Sequence, residues 1–224
     1  MICSDRFPDS AGLCVNEIFI SIQGESLYAG RPCVFVRLTG CNLRCSYCDT
    51  DYAWSGGRDM DIEEIVSEVQ AFRFPLVEIT GGEPLLQKNT PELVRRLLDG
   101  QMEVMMETNG TFPIDLVSEK CIKIMDIKCP ASGQSHKTDF ENINRLGASD
   151  QVKFVVCDRG DYEFARDIIN RSLKAGSAAA VLISPAAGMV EPAKVAGWII
   201  EDRLDARLQL QLHKILWPGA EKGV

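Results

Sequence analysis

Apolar and polar residues alternate in short runs along this chain, and between these runs apolar positions recur at helical spacing. The alternation in Val15–Ser21 predicts a first strand, and a second is predicted at Cys33–Thr39. Residues 51–59, which include Ser-Gly-Gly, are expected to form a flexible connector. Asp61 is then expected to cap a helix that runs to about Phe72.

From Pro75 onward, predicted strands and helices follow one another regularly. Strands are predicted at 76–80, 104–108, 122–127, 152–156, 180–183 and 208–215, and helices near 91–98, 114–118, 140–146, 162–174 and 192–203. Such units are typical of parallel strands joined by right-handed crossovers. We therefore expect one α/β domain over residues 1–224. The pattern does not choose between a partial barrel and an open sheet.

Polar segments follow several of these strands. In both architectures, functional groups collect at the C-terminal ends of the strands, so we expect these segments to share one rim. They are the cysteine-containing loop after Leu38, Thr80–Glu83, Glu107–Gly110, Asp126–Lys128 and Ser184-Pro185.

Composition narrows the class of protein. The 224 residues are 46% hydrophobic and 25% charged, as expected for a globular chain with one core. The net charge of −8 argues against a nucleic-acid surface. The apolar run at Ala178–Ile183 is too short to span a membrane, and Met1–Arg6 lacks a signal-peptide pattern. We expect a cytoplasmic protein that binds neither nucleic acid nor membrane.

Three of the nine cysteines, Cys41, Cys45 and Cys48, have the spacing C-x3-C-x2-C. Three thiolates leave one coordination position open, as in a site that does chemistry, and we favour an iron–sulfur cluster. A structural zinc site stays possible if His136, His213 or another cysteine supplies a fourth ligand. The other cysteines lack paired spacing and do not indicate a disulfide framework. They are Cys3, Cys14, Cys33, Cys121, Cys129 and Cys157.

The polar segments each have an ordinary and a functional interpretation. Gly81-Gly82-Glu83-Pro84 is either a common turn or a place where the backbone approaches a ligand closely. Glu107–Gly110 ends in a frequent turn pair, yet its carboxylate and amide would also bind ribose hydroxyls. Asp126 and Lys128 would form a salt bridge or contact a ligand.

Arg37 and His213 also allow more than one interpretation. Arg37 interrupts the apolar run Val34–Leu38, where a charge is costly unless it is paired. We favour an anionic ligand in a pocket as its partner over an edge position in solvent. His213 is more simply explained as a structural histidine than as a ligand.

Together these residues carry a resemblance. The three cysteines with Tyr47, followed by Gly81–Pro84 and strand–helix units, resemble the radical S-adenosylmethionine superfamily. Within it, four segments resemble the family of 7-carboxy-7-deazaguanine synthases. These segments are Glu17–Glu25, Gly30–Thr50, Glu107–Thr111 and Leu212–Pro218. One departure is that residues 219–224 extend beyond the position where the family often ends.

The resemblance implies a partial (β/α) barrel of parallel strands with an N-terminal extension strand. It also implies a lyase that holds a [4Fe–4S] cluster, S-adenosylmethionine and Mg²⁺. The cluster's open iron would take S-adenosylmethionine, and its one-electron cleavage would give a 5′-deoxyadenosyl radical. That radical would act on 6-carboxy-5,6,7,8-tetrahydropterin. Ring contraction with loss of ammonia would then give 7-carboxy-7-deazaguanine for queuosine biosynthesis, a tRNA modification pathway.

The resemblance also assigns site residues. Cys41, Cys45 and Cys48 would ligate the cluster, and Thr50 would ligate Mg²⁺. Predicted S-adenosylmethionine contacts are Tyr47, Cys48, Asp49, Gly82, Glu107, Asp126, Ile127 and Lys128. Predicted substrate contacts are Ile22, Gln23, Gly24, Arg37 and Thr80. No general base is required, so we name no catalytic residue.

The resemblance implies a flavodoxin-like electron donor and a homodimer. Two alternatives stay open on sequence alone. One is another small superfamily member, such as a glycyl-radical activating enzyme, whose large protein partner would need no compact anionic pocket around Arg37. The other is a zinc-stabilised binding module without chemistry.

Overall fold

A computed structural model describes residues 12–173, 179–220 and 222–224. Nine strands are found in this part of the chain: β1 Gly12–Ile22, β2 Pro32–Leu38, β3 Arg58–Asp61, β4 Leu76–Gly81, β5 Glu103–Thr108, β6 Ile122–Asp126, β7 Gln151–Val156, β8 Ala180–Pro185 and β9 Arg207–Leu208. The helices are α1 Ile62–Ala71, α2 Thr90–Asp99, α3 Asn142–Arg145, α4 Arg159–Ile168, α5 Pro192–Glu201 and α6 Leu212–Leu216.

The strands form one sheet in the order β3-β1-β2-β4-β5-β6-β7-β8-β9. From β2 to β9 all neighbours are parallel, whereas β1 pairs antiparallel with both β2 and β3. β3 and β9 are the edges of the described sheet, so it is not closed. The α/β prediction is confirmed, as is the partial barrel with an N-terminal extension strand. The single domain over 1–224 stays a prediction.

Strand alternation divides the side chains between two faces. On β2, Val34 and Val36 pack in the core that also contains Leu93 and Leu97 of α2. The intervening positions carry Cys33, Phe35 and Arg37, so these point to the inner, concave face. Cys33 and Phe35 belong to a small apolar cluster there with Leu76, Met105, Ile122 and Ile124. Polar residues take the inner positions nearer the C-terminal ends of the strands.

A second core covers the other half of the sheet, where Phe154 and Ile183 pack against Tyr162, Ala165 and Val195 of the helices. Helices α1, α2, α4 and α5 therefore lie on the convex face and leave the concave face open. No helix in the described ranges is long and apolar enough to cross a membrane.

Two predicted elements were wrong. The last strand, predicted at 208–215, is the two-residue strand β9 followed by α6. Alternating Leu208 and Leu210 resemble a strand locally, but Leu212 turns away to donate to the carbonyl of Gly24. The connector at 51–59 is ordered: it contains a 3₁₀ helix at Asp51–Trp54 and the start of β3.

Helix α1 follows Asp61 as predicted, but three later helices differ from their predictions. The segment near 114–118 is a 3₁₀ turn at Ile114–Leu116, and the helix near 140–146 is the short α3. The helix predicted at 162–174 begins earlier, at Arg159, and ends in a π-helical turn, Ile169–Leu173. Lys174 lies outside the described residues.

Candidate active site

One cavity of about 610 Å³ lies at the C-terminal ends of the parallel strands. It is lined by residues from the strands, from the loop that follows β2 and from the segment around α6. Every residue predicted to bind cofactor, substrate or metal lines this cavity except Ile127. The Ile127 side chain is fully buried in the second core, and its N–H donates to the carbonyl of Lys153.

The cysteine loop, residues 41–50, is held by its own backbone and by neighbouring turns. Gly40, just before it, adopts a left-handed conformation, and its N–H donates to the carbonyl of Ala53 at 2.8 Å. Ser46 binds a 3₁₀ turn through two bonds, from its hydroxyl to the Ala131 carbonyl and from its N–H to the Ser132 carbonyl. Arg44 covers Trp54 and donates to the carbonyls of Cys41 and Leu43.

The three thiols of this loop suit a cluster that keeps an open position. All three are free and line the cavity. N–H groups point at the Cys41 sulfur: Leu43 N lies 3.4 Å away and Asn109 Nδ2 lies 3.9 Å away. Such bonds to sulfur tune a cluster's reduction potential. Burial raises the pKa of the Cys41 and Cys45 thiols in the protein without metal.

Close packing of the chain requires a glycine at position 82, directly after β4. A Cβ atom at Gly82 would lie 2.2 Å from the Gly40 carbonyl oxygen and 2.7 Å from Cβ of Cys41. The turn therefore presses against the start of the cysteine loop, and Glu83 N donates to the same Gly40 carbonyl at 2.8 Å. Because Gly82 also lines the cavity, it leaves backbone groups open to a ligand there.

Glu83 does not line the cavity; it joins the ends of β4 and β5. Its buried carboxylate accepts hydrogen bonds from the Thr108 hydroxyl at 2.8 Å and the Asn109 N–H at 2.7 Å. Burial raises the pKa of Glu83 to about 7, although these hydrogen bonds oppose the shift. The structure places this carboxylate where it fixes Asn109, which in turn contacts Asn42 and Cys41.

Two polar atoms near the cysteine loop are buried without a hydrogen-bond partner among the described residues: the Tyr47 hydroxyl and Oδ1 of Asp126. Both residues line the cavity, and a buried polar atom without a partner is expected to meet a ligand or water. Oδ2 of Asp126 binds Nζ of Lys128 at 2.8 Å. These groups fit a polar cofactor such as S-adenosylmethionine.

Four charged residues form what we call the lysine cluster: Lys153 and Asp126, which are buried, and Glu25 and Glu107, which are half-buried. Nζ of Lys153 lies 3.0 Å from Glu25, 3.6 Å from Asp126 and in direct contact with Glu107. Burial alone lowers the pKa of Lys153, but these carboxylates raise it well above its usual value. Burial opposes ionisation of Glu25 and Asp126, yet neighbouring lysines hold both pKa values below their usual range.

Glu78 occupies the inner face of β4, where only 4% of the residue is exposed. Gln23 Nε2 donates to its Oε2, and Glu25 N donates to Oε1 of Gln23. Burial raises the pKa of Glu78 to about 8, and Glu107 adds to the shift. A carboxyl group whose ionisation is opposed by burial therefore faces the cavity beside Gln23.

Arg37, also on the inner face, forms an ion pair with Glu17 of β1 at 2.7 Å. The Tyr52 hydroxyl donates to the same Glu17 oxygen at 2.8 Å. The favoured interpretation of Arg37 therefore needs one correction: it has an anionic partner within the protein. It also lines the cavity, opposite Thr80 in the β2–β4 register.

The α6 segment closes one side of the cavity. Leu212 N donates to the Gly24 carbonyl at 2.9 Å, and Gln211 donates to Glu25 at 3.1 Å. Lys214 pairs with Asp49 of the cysteine loop at 2.6 Å. His213 lies against Gly24, where a Cβ atom would come within 2.1 Å of its Nδ1. Burial lowers the pKa of this histidine.

The chain after α6 returns to the cavity. Ala220 and Val224 line it, and Nζ of Lys222 lies 4.5 Å from the ring centroid of Tyr52.

Thr50 and Asp49 present a hydroxyl and a carboxylate side by side, 3.1 Å apart. Hard oxygen donors of this kind fit Mg²⁺.

Sequence reasoning missed several residues that line the cavity. They are Glu25, Tyr52, Glu78, Lys153, Gln211 and Lys214, together with His213, which was interpreted as structural. A signal existed for two of them. Glu78 and Lys153 each interrupt an apolar strand, as Arg37 does, and a charge in such a run indicates a buried polar site.

Comparisons with known proteins agree with this geometry. The sequence profile of the Radical SAM superfamily matches residues 35–184. A 7-carboxy-7-deazaguanine synthase from Koribacter versatilis is 45% identical over 94% of this chain and 99% of that protein. One from Chlorobaculum tepidum is 43% identical over 96% of this chain and 98% of that protein.

Solved structures show the same fold at lower identity. The crystal structure of QueE from Escherichia coli matches with a TM-score of 0.76 and 19% identity, over 94% of this chain and 98% of that one. SuiB from Streptococcus suis, bound to S-adenosylmethionine, matches with a TM-score of 0.57 and 12% identity. This match covers 82% of this chain and 52% of the SuiB chain.

Proposed function

This chain belongs to the 7-carboxy-7-deazaguanine synthase family of the radical SAM superfamily, and on that premise we propose that it converts 6-carboxy-5,6,7,8-tetrahydropterin to 7-carboxy-7-deazaguanine with loss of ammonia. The observation that carries the proposal is a single cavity lined by Cys41, Cys45, Cys48 and Arg37. The arrangement supports the proposal because three thiols that suit a cluster and a guanidinium that suits an anion lie around one cavity.

The cysteine side of the cavity would hold the cofactors. Cys41, Cys45 and Cys48 would ligate a [4Fe–4S] cluster, and Gly82 with the partnerless oxygens of Tyr47 and Asp126 would bind S-adenosylmethionine. When bound, the two together supply a 5′-deoxyadenosyl radical through one-electron cleavage of the sulfonium. Glu107, Asp49 and Lys128 complete the proposed cofactor contacts, and Ile127 would contribute only its backbone.

The other side of the cavity would hold the pterin. Arg37 would bind its carboxylate, and Ile22, Gln23, Gly24 and Thr80 would contact the ring. Because Gln23 is held between Glu25 and Glu78, its amide has a fixed orientation. α6 packs on Gly24 and would exclude water from this side, which would protect a reactive radical.

Further parts of the proposal concern the surroundings. Thr50 would supply one oxygen ligand to Mg²⁺, with solvent and substrate completing its shell. We also propose a flavodoxin-like electron donor, a homodimer and a cytoplasmic location, by resemblance to the family.

The decisive experiment uses the anaerobically reconstituted protein with S-adenosylmethionine, a reductant and 6-carboxytetrahydropterin. We expect 7-carboxy-7-deazaguanine and 5′-deoxyadenosine by mass spectrometry. 5′-Deoxyadenosine without the deazaguanine would reject this substrate. Zinc without iron in the reconstituted protein would reject the radical enzyme altogether.

The substrate role of Arg37 is tested in the same assay. Arg37→Ala removes charge-assisted hydrogen bonds to the carboxylate, so we expect the KM for the pterin to rise about 10- to 100-fold. Reductive cleavage of S-adenosylmethionine without substrate should continue. Equal losses in both reactions would contradict the assignment.

A further inference from the structure

We propose that Glu17 is a positioning residue: its carboxylate holds the guanidinium of Arg37 so that the two terminal NH₂ groups of Arg37 face the substrate's carboxylate. The inference rests on the proposed function, in which Arg37 binds that carboxylate. It adds a residue outside the cavity lining that acts on the substrate only through Arg37.

The register of the sheet creates this contact. Glu17 of β1 lies directly opposite Arg37 of β2, and the pairing shifts between Val15 and Glu17, a bulge-like irregularity. Bulges redirect side chains locally. Here Oε1 of Glu17 accepts from Nε of Arg37 at 2.7 Å and from the Tyr52 hydroxyl at 2.8 Å.

Because Nε of Arg37 donates to Glu17, the two terminal NH₂ groups of Arg37 stay available for a ligand. Among the described residues, neither Nη atom of Arg37 has a hydrogen-bond partner, although the side chain is only 12% exposed. A guanidinium is a rigid planar fork, so fixing its Nε edge also fixes the direction of its Nη pair. That pair can bind both oxygens of one carboxylate.

Aromatic rings restrict the remaining motion. The Arg37 guanidinium carbon lies 5.9 Å from the ring centroid of Phe19 and 5.8 Å from that of Tyr52. Tyr52 thus contacts Arg37 through its ring and orders Glu17 through its hydroxyl. The guanidinium is held before substrate arrives, which lowers the entropy lost on binding.

The charge on Glu17 has the opposite effect. A carboxylate beside Arg37 offsets the cation and repels a second carboxylate, so it weakens the general attraction for anions. Glu17 therefore helps binding only if orientation matters more than net charge. Two variants separate these effects. Glu17→Gln keeps an acceptor at the same distance and removes the charge, whereas Glu17→Asp keeps the charge and withdraws the acceptor by one methylene.

The experiment measures kcat and KM for the pterin and for S-adenosylmethionine with each reconstituted variant. Small misplacements of a positioning group cost up to about 100-fold. We therefore expect Glu17→Asp to raise the pterin KM about 10-fold or more. Glu17→Gln should stay within about 3-fold of wild type, and the KM for S-adenosylmethionine should change less than about 2-fold in both.

The matched control is Glu103→Asp. Glu103 pairs with Arg31 at the same 2.7 Å, but neither residue lines the cavity, so its pterin KM should equal that of wild type. If Glu17→Gln is the impaired variant and Glu17→Asp is normal, charge rather than orientation matters and the inference fails. It also fails if the KM for the pterin and the KM for S-adenosylmethionine rise together. A wild-type protein that forms no deazaguanine would instead overturn the proposed function, and the inference with it.

Discussion

The cysteine loop brings three thiols into the cavity from eight consecutive residues, whereas the lysine cluster draws its four charges from four separate segments of the chain. The loop is held mainly through backbone groups, as at Gly40 and Ser46. The lysine cluster is held by its own ion pairs, in which one buried cation faces three carboxylates. Asp126, a member of the lysine cluster, also pairs with Lys128 and lines the same cavity as the loop.

This difference determines what each region tolerates. In the loop, each cysteine has a proposed role as a cluster ligand that no neighbour can take over, while the backbone holds the loop's shape. In the lysine cluster, the charges depend on one another, because removing a partner leaves a buried charge without compensation. Changes in the loop should therefore affect chemistry more than folding, and changes in the lysine cluster should affect folding as much as chemistry.

The largest expected effect comes from Cys45→Ala. Two remaining thiolates cannot hold the proposed cluster with one open iron, so 5′-deoxyadenosine formation should fall to background after reconstitution. Iron content and the charge-transfer absorbance should fall with it, while the far-UV circular dichroism should stay as in wild type.

Cys121→Ala is the matched control. Cys121 is also a free thiol, but it is buried in the core and does not line the cavity. Its variant should keep the iron and the activity. Full iron content in Cys45→Ala would show that the thiols are not used as proposed.

The next effect is on stability. Lys153→Met leaves Glu25, Glu107 and Asp126 without their shared cation, so the free energy of unfolding should fall by about 3–5 kcal/mol at pH 8. The pKa values of Glu25 and Glu107 should then lie above those of the unfolded chain because burial opposes their ionisation, whereas Asp126 keeps its ion pair with Lys128. The native state should therefore bind more protons than the unfolded chain. Stability of the variant should therefore increase as the pH is lowered from 8 to 6. Urea unfolding of the cluster-free, reduced protein measures both the free energy of unfolding and its dependence on pH.

Lys123→Met is the control for the pH dependence of stability. Lys123 is buried beside one carboxylate, Asp150, at 3.3 Å. That carboxylate also accepts from the N–H groups of Lys123 and Gly147, which the substitution leaves in place. Its variant should show a weaker pH dependence. Equal slopes would mean that the three-carboxylate arrangement has no special effect.

The same contrast explains what the sequence predicts. Cys41, Cys45 and Cys48 are neighbours in the chain, so their spacing alone indicates a shared site. Gly81-Gly82 alone also fits an ordinary turn, and Gly82 is assigned to the site by the family resemblance. Glu25 and Lys153 are far apart in sequence. Their contact depends on the register of the sheet and on the loop after β1, which no local pattern contains.

Predictions of the fold divide similarly. The buried strands β2 and β4 follow from local alternation with apolar residues on one face. The region after β9 does not, because Ile215 and Leu216 of α6 remain exposed and give no core-facing pattern. The position of α6 is set by hydrogen bonds to distant residues, Gly24 and Glu25. Local periodicity cannot report such contacts.

The smallest effect is expected where α6 joins the two regions. Lys214→Gln breaks the ion pair with Asp49, whose side chain is 53% exposed. An exposed pair contributes at most about 1 kcal/mol, so the free energy of unfolding should fall by less than that. Although burial alone would raise it, the pKa of Asp49 is lowered to about 2, with Lys214 as the main cause. The wild type should therefore lose this small contribution as the pH falls from about 4 to 2, and the variant should not show that loss.

Arg58→Gln is the control, since Arg58 pairs with Glu68 at 2.5 Å with similar exposure and away from the cavity. Both variants should lose a similar, small amount of stability. Only Lys214→Gln should weaken S-adenosylmethionine binding, by about 2- to 3-fold, because Asp49, a proposed contact of that cofactor, loses its ion-pair partner. Isothermal titration under anaerobic conditions measures this. A loss of stability well above that of Arg58→Gln would show that α6 ties the cysteine loop to the substrate side more rigidly than an exposed ion pair allows.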